Sequence, residues 1–207
     1  MVAYRQGAFL RDAGALPAAE QLFRKAHRLG ILDATVDLGT LLLARGEREE
    51  AEQLFERAAA ENHAGGLNEL GVLRKDQGRL DEARRLLERS VRHGYDGALV
   101  NLAFVAAEQG NVERATKLYL RAAEHGYDKA LYNLGLLLHE RGQHAQALAV
   151  WQQGNDYGNH ECTFALGLMA HRAGDHTEAV GHWRNAALFG HAGARANLRE
   201  FYPETHI

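Results

Sequence analysis

A chain of 207 residues that is 46% hydrophobic can bury a continuous core, and its formal charge of −3 gives no general pull toward nucleic acid or an anionic membrane. No apolar run approaches the ~18 residues of a membrane span, and the N-terminus lacks the apolar core and cleavage pattern of a signal peptide. The one cysteine, Cys162, cannot form an intrachain disulfide and fits a reducing, cytoplasmic setting; the excess of arginine over lysine fits a high-GC, bacterial composition.

In chain order, residues 1–31 begin almost inside a first helix, with Val2, Tyr4 and Phe9 and no earlier helix to cover them. Either that edge binds something or a preceding segment is missing. Gly14 ends this helix, Pro17 suits the first turn of a second, and Gly30 ends that one. The cycle then recurs every 32 residues. Gly14, Gly46, Gly78, Gly110, Gly142 and Gly174 share one register, Ala19, Ala51, Ala83, Ala115, Ala147 and Ala179 a second, and Leu38, Leu70, Leu102, Leu134, Leu166 and Leu198 a third. A fixed period of this length means stacked supersecondary units.

Each period reads as an inner helix A and an outer amphipathic helix B. Ala115, Leu118, Tyr119 and Ala122 share one face of a B helix, whereas Ala130 to Leu138 is apolar nearly all round, as an A helix buried on two sides should be. The Gly46 row ends each A helix, and Gly30, Gly94, Gly126, Gly158 and Gly190, with Asn62 as the exception, end each B helix. Asp96 and Asp128 fall where an N-cap for the next A helix belongs, and Asp175 with Glu178 resembles a capping box. The large residues Phe23, Phe55, Leu87, Tyr119, Trp151 and Trp183 follow the alanine row by four and read as core knobs, with small residues Gly39, Gly71, Ala103, Gly135 and Gly167 allowing close approach. The units are 1–31, 32–63, 64–95, 96–127, 128–159 and 160–191, with a closing helix at 192–207 that Pro203 helps to stop and whose Arg199, Glu200 and Glu204 suit a cap.

Asn133-Leu134-Gly135 followed by Gly142, Ala147, Trp151 and Gly154 has the internal spacing of the tetratricopeptide repeat. Ala122-Ala123, Gly126, Ala130 and Leu134-Gly135 resemble the related Sel-like repeat. The unit is two residues shorter than the usual tetratricopeptide length of ~34, with His63, Tyr95, Tyr127, Asn159 or His191 in place of the proline between B and A helices. It also lacks the Sel-like insertion at the A-to-B turn. The resemblance runs from Gly7 to Leu198. It implies an all-α, right-handed α-solenoid of stacked antiparallel helix pairs, six repeats plus the closing helix, forming a single domain over 1–207.

The resemblance further implies a non-enzymatic scaffold whose A helices line a concave groove for a peptide or partner helix. Mapped onto this chain, the groove comprises Val100, Asn101, Phe104, Tyr132, Asn133, Leu136, His139, Phe164, Leu168 and His171. Asn101 and Asn133 match the asparagine that grips a ligand backbone in relatives, while Asp37, Glu69 and Ala165 depart from it. The apolar row is open to two readings, ordinary packing or an interaction surface. Beside it runs an acidic row, Asp76, Glu108 and Glu140, with Asp12 before it, interrupted by Ala44 and ending at Arg172. It reads either as a solvated face or as a rim favouring a partner with basic flanks. A regulatory or adaptor segment of a larger protein, docking through the N-terminal edge, is the alternative.

Catalytic chemistry has little to rest on: the chain shows no phosphate loop and no nucleophile elbow, and Cys162 falls in the small-residue row of Ala34, Ala98, Ala130 and Ala194. No cofactor is implied. Arg84, Arg85, Arg89 and Arg92 interleave with Glu82 and Glu88 and read as intrahelical pairing, so no nucleic-acid site is expected. His93, His125 and His191 are too far apart to share an ion, and His171, His176 and His182 lie across a turn without an i, i+4 pair. The histidines read as exposed loop residues, and no metal site is expected.

Overall fold

The computed structural model describes residues 1–204, which form thirteen α-helices joined by short turns. The end of the closing segment, 205–207, lies outside the described residues. The chain divides into two compact units, Met1–Gln109 and Gly110–Ile207. The first holds α1 (Val2–Asp12), α2 (Leu16–Arg28), α3 (Leu32–Ala44), α4 (Arg48–Ala60), α5 (Ala64–Asp76), α6 (Leu80–Arg92) and α7 (Ala98–Glu108). The second holds α8 (Val112–Glu124), α9 (Lys129–Glu140), α10 (His144–Asp156), α11 (His160–Ala173), α12 (His176–Leu188) and α13 (Ala192–Phe201). Odd-numbered helices are the A helices and even-numbered ones the B helices. Within each unit every helix packs on its neighbour in the chain, and A helices also meet, α3 with α5, α5 with α7 and α9 with α11. The solenoid pairing expected from the period is therefore present, with α13 as its closing helix.

The turns explain the punctuation. Every glycine of the two turn rows has φ between +73° and +92°, and Asn62 at +56° is the one non-glycine residue there. Side chains with a β-carbon resist this left-handed conformation, which is why two glycine rows survive in a chain otherwise rich in helix formers. The helix between two such turns is usually 13 residues, about 20 Å long.

Packing follows the other rows. The alanines from Ala19 to Ala179 are fully buried, as are Phe23, Phe55, Leu87 and Trp183, with Trp151 and Tyr119 at 2% exposure. The A-helix glycines of one register face the large side chain of their own repeat: Gly7 and Gly39 lie under Phe23 and Phe55, Gly71 under Leu87, Gly135 and Gly167 under Trp151 and Trp183. In the second unit the two indoles also donate across the pair, Trp151 Nε1 to the Tyr132 carbonyl at 3.2 Å and Trp183 Nε1 to the Phe164 carbonyl at 3.3 Å. Each buried donor is thus satisfied where the glycine lets the ring approach the backbone.

Two expectations about polar residues change. Asp128 occupies the N-cap position of α9 but its side chain does not cap, and the N-cap position of α7 falls to Gly97, one residue after Asp96. Both N-cap residues have helical backbone angles, whereas a capping side chain needs an extended residue to reach the N2 or N3 amide. For α5, α11 and α13 the capping side chains lie one position earlier in the register, at His63, Asn159 and His191, in the row that Tyr95 and Tyr127 share. His63 Nδ1 accepts from the Gly66 amide at 3.2 Å, Asn159 Oδ1 from Cys162 at 2.9 Å and His191 Nδ1 from Ala194 at 3.1 Å. The other ring nitrogen of each histidine meets a carboxylate one repeat back, Asp33 for His63 at 3.1 Å and Glu161 for His191 at 3.0 Å. The capping box half-forms at Asp175, whose Oδ1 accepts from the Glu178 amide at 3.0 Å. Among the arginines of α6, Arg84 pairs within the helix, with Glu88 at 3.2 Å, but Arg89 reaches across to Asn62 Oδ1 at 2.8 Å and the Ala59 carbonyl at 3.3 Å. Intrahelical pairing therefore covers only part of that cluster.

Candidate peptide-binding surface

In the second unit the inward face of the A helices follows from which side of each helix the core takes. Helix α9 buries Ala130, Leu131, Leu134, Gly135, Leu137 and Leu138, which leaves Tyr132, Asn133, Leu136 and His139 half-buried on the adjoining stripe. Helix α11 repeats this: Cys162, Ala165, Leu166 and Gly167 are buried, and Phe164, Leu168 and His171 are half-buried. The i, i+4, i+7 spacing puts each set on one helix face. Because α9 and α11 touch, the two stripes belong to one surface.

The stripe is not uniform. The Tyr132 phenol is pushed above its ordinary pKa by burial first and by Glu161 second. The Asn133 side-chain amide makes no hydrogen bond among the described residues. Phe164 stacks on the His191 ring, centroids 4.2 Å apart, and with Leu168 packs against the core cluster of α12 and α13 around Trp183 and Leu198. His171 is drawn toward the end of α13, its Nδ1 2.7 Å from the Tyr202 hydroxyl and its ring 4.7 Å from that of Phe201. His139 Nδ1 contacts His144 Nδ1 at 2.9 Å over the Trp151 ring. The apolar row is thus open at Tyr132 and Leu136 and becomes packing toward the closing helix.

In the first unit, Val100 and Asn101 are half-buried on α7 and Phe104 is 43% exposed, with Lys75 Nζ 4.9 Å from its ring centroid. Asn101 is engaged: its amide donates to Asn68 Oδ1 at 3.0 Å, and Asn68 donates to Glu69 at 2.9 Å. Burial pushes the Glu69 carboxyl up, and the same effect at Asp37 outweighs Arg11, whose Nη1 lies 2.9 Å from Asp37 Oδ2. Of the acidic rim, Asp76 is exposed and pairs with Lys75 at 3.2 Å. Glu108 and Glu140 are exposed without an ion pair among the described residues.

Cys162 is fully buried against Gly154, and burial, with a smaller contribution from Glu161, pushes its thiol up to about 12, a state without nucleophilic character near neutral pH. No group of three or more His, Cys, Asp or Glu is placed to hold a metal among the described residues, and no helix is long and apolar enough to cross a membrane. Contacts not read from the sequence are those of His144 with His139 and of His176 with His171 across the A-to-B turns, and of Tyr202, at the end of α13, with His171 and His176. The signal was the recurrence of a five-residue His–His spacing 32 residues later.

No curated protein matches the sequence. Among solved structures, the chain is similar to a Sel1 repeat protein from Oxalobacter formigenes, with 20% identity and a TM-score of 0.71 over 99% of this chain and 91% of that one. It is similar to Pseudomonas aeruginosa pilF, with 17% identity and a TM-score of 0.73 over 98% and 91%. YrrB, a tetratricopeptide-repeat protein with an unusual peptide-binding site, shares 17% identity and a TM-score of 0.55 over 86% and 98%. At such identities the likeness concerns fold alone. Models of the tetratricopeptide repeat match residues 36–98 and 68–129, and again 129–153 and 160–185. With the 32-residue register and the paired helices, these matches establish that the chain belongs to the tetratricopeptide-repeat family.

Proposed function

We propose that the protein is a non-enzymatic interaction module that holds a peptide or partner helix against its A-helix faces. The observation that carries this reading is the stripe of Tyr132 and Leu136 on α9, half-buried beside an Asn133 side-chain amide without a hydrogen bond among the described residues, and bounded on α11 by the packed Phe164 and Leu168. Apolar anchors would lie on the stripe and an extended backbone would meet Asn133. In the first unit, Val100, Asn101 and Phe104 offer a smaller surface of the same kind. Exposed Glu108 and Glu140 favour a partner with Lys or Arg beside its apolar residues, and steering by these charges weakens with salt. The test is selection of a displayed peptide library on the pure protein. Enriched sequences should combine apolar residues with basic flanks and lose binding to folded Leu136→Glu. Peptides that bind Leu136→Glu and Tyr132→Ala as well as the wild type would overturn the assignment.

A second surface, on the first unit, supports an adaptor reading. Val2 and Phe9 are each 72% exposed, and an open apolar depression of about 430 Å³ is lined by Arg5, Gln6, Phe9, Leu10 and Leu22. A partner helix covering α1 would fill it. Phe9→Glu should abolish such binding while leaving peptide binding at α9 intact.

A further inference from the structure

The turn between α11 and α12 brings His171 and His176 together, and the end of α13 delivers Tyr202 to both. Each histidine Nδ1 lies 2.7 Å from the one phenolic oxygen. Two imidazole nitrogens and a phenol oxygen, all competent metal donors, therefore converge on one point. One repeat earlier the same turn sets His139 Nδ1 2.9 Å from His144 Nδ1, so the inward aim of Nδ1 is a property of the turn and recurs in the register.

Donor chemistry and geometry narrow the occupant. Imidazole suits borderline divalent transition metals, and a phenolate adds a harder, charged oxygen. Bonds of ~2.0–2.1 Å in a tetrahedral site place ligand atoms roughly 3.3 Å apart, so each histidine–phenol edge need open by only about 0.6 Å. The inner side of the site is walled by apolar rings, with Trp183 5.4 Å and Phe201 4.7 Å from His171, while His176 is exposed and gives an entry path. We propose that His171 Nδ1, His176 Nδ1 and the Tyr202 oxygen form a site for a divalent transition metal of the zinc or copper kind, water completing the coordination. On binding, each imidazole keeps its proton on Nε2 and gives the Nδ1 lone pair to the metal, and the phenol releases its proton to solvent. The bound ion ties the α11–α12 turn to the end of α13 and pins the closing helix. The His139–His144 pair supplies two of the three donors and binds more weakly.

The test uses the full chain stripped with chelator and titrated near neutral pH, by calorimetry with Zn2+ and by visible spectroscopy with Cu2+. The expected result is one tight equivalent with Kd on the order of 1 μM, a copper–phenolate charge-transfer band, and a rise in Tm with metal concentration. His176→Ala, at an exposed position, should weaken binding about tenfold or more. Tyr202→Phe, which keeps the ring, should erase the band and the rise in Tm, while His144→Ala should leave the tight equivalent intact. Wild-type protein that binds no tighter than His176→Ala, or a Tyr202→Phe variant with full affinity and an unchanged Tm response, overturns the site.

Discussion

Replacing Gly135 with alanine tests whether the A-helix glycine and the B-helix ring form one packing unit. A β-carbon there would lie 2.1 Å from Trp151 Nε1 and 2.5 Å from two ring carbons, whereas ordinary contact begins at 3.4 Å. The difference, 3.4 less 2.1, means the indole must retreat by about 1.3 Å or the two helices must part. Retreat also breaks the Nε1 bond to the Tyr132 carbonyl and strands a donor on a side chain only 2% exposed. Overpacking costs ~1–3 kcal/mol and a stranded buried donor a further ~1–3 kcal/mol, while alanine regains ~1 kcal/mol of helix propensity, for a net loss of about 3 kcal/mol. Gly181 in α12 is the control, since it is exposed and its added β-carbon meets nothing within 4 Å. There the same substitution should gain ~0.5–1 kcal/mol. Urea titrations followed by circular dichroism and tryptophan fluorescence measure both. Gly135→Ala also paired with Trp151→Leu should lose less than the sum of the single changes, because the clash disappears with the ring. Equal effects at the two glycines, or a Gly135→Ala protein as stable as the wild type, would refute this account.

Two further outcomes follow from buried titratable groups. Burial raises the Glu69 carboxyl above its ordinary 4.5, so the folded protein holds that proton more tightly than the unfolded chain does, and stability falls as pH rises through the raised value. Glu69→Gln should therefore stabilise the protein at neutral pH and lose that advantage below about pH 4; urea midpoints with the same gap at both pH values would count against it. The Cys162 thiol, pushed up to about 12 in a fully buried slot, should resist a disulfide reagent in the native protein and react on unfolding. Rapid labelling of the native state would contradict the buried placement.

Most of the backbone was legible in the amino-acid order because the same local demand recurs every 32 residues. A left-handed turn residue, a buried methyl and a large apolar knob each depend on their own repeat, so a slip in any register would show at once. The candidate surface was legible only in part. Periodicity places Tyr132, Leu136, Phe164 and Leu168 on one kind of face, but it cannot tell how far later helices cover that face. Phe164, Leu168 and His171 are drawn into the closing helix. The caps show the same limit: aspartate at 128 is the right residue type for an N-cap, but the backbone there is helical and its side chain does not cap α9. The sequence by itself determined helices, turns, repeat boundaries and the glycine–ring pairs, all set by residues a short way apart in the chain. Tertiary structure alone decided which half-apolar faces stay open and which histidines Tyr202 reaches, because those depend on neighbours about a full repeat away.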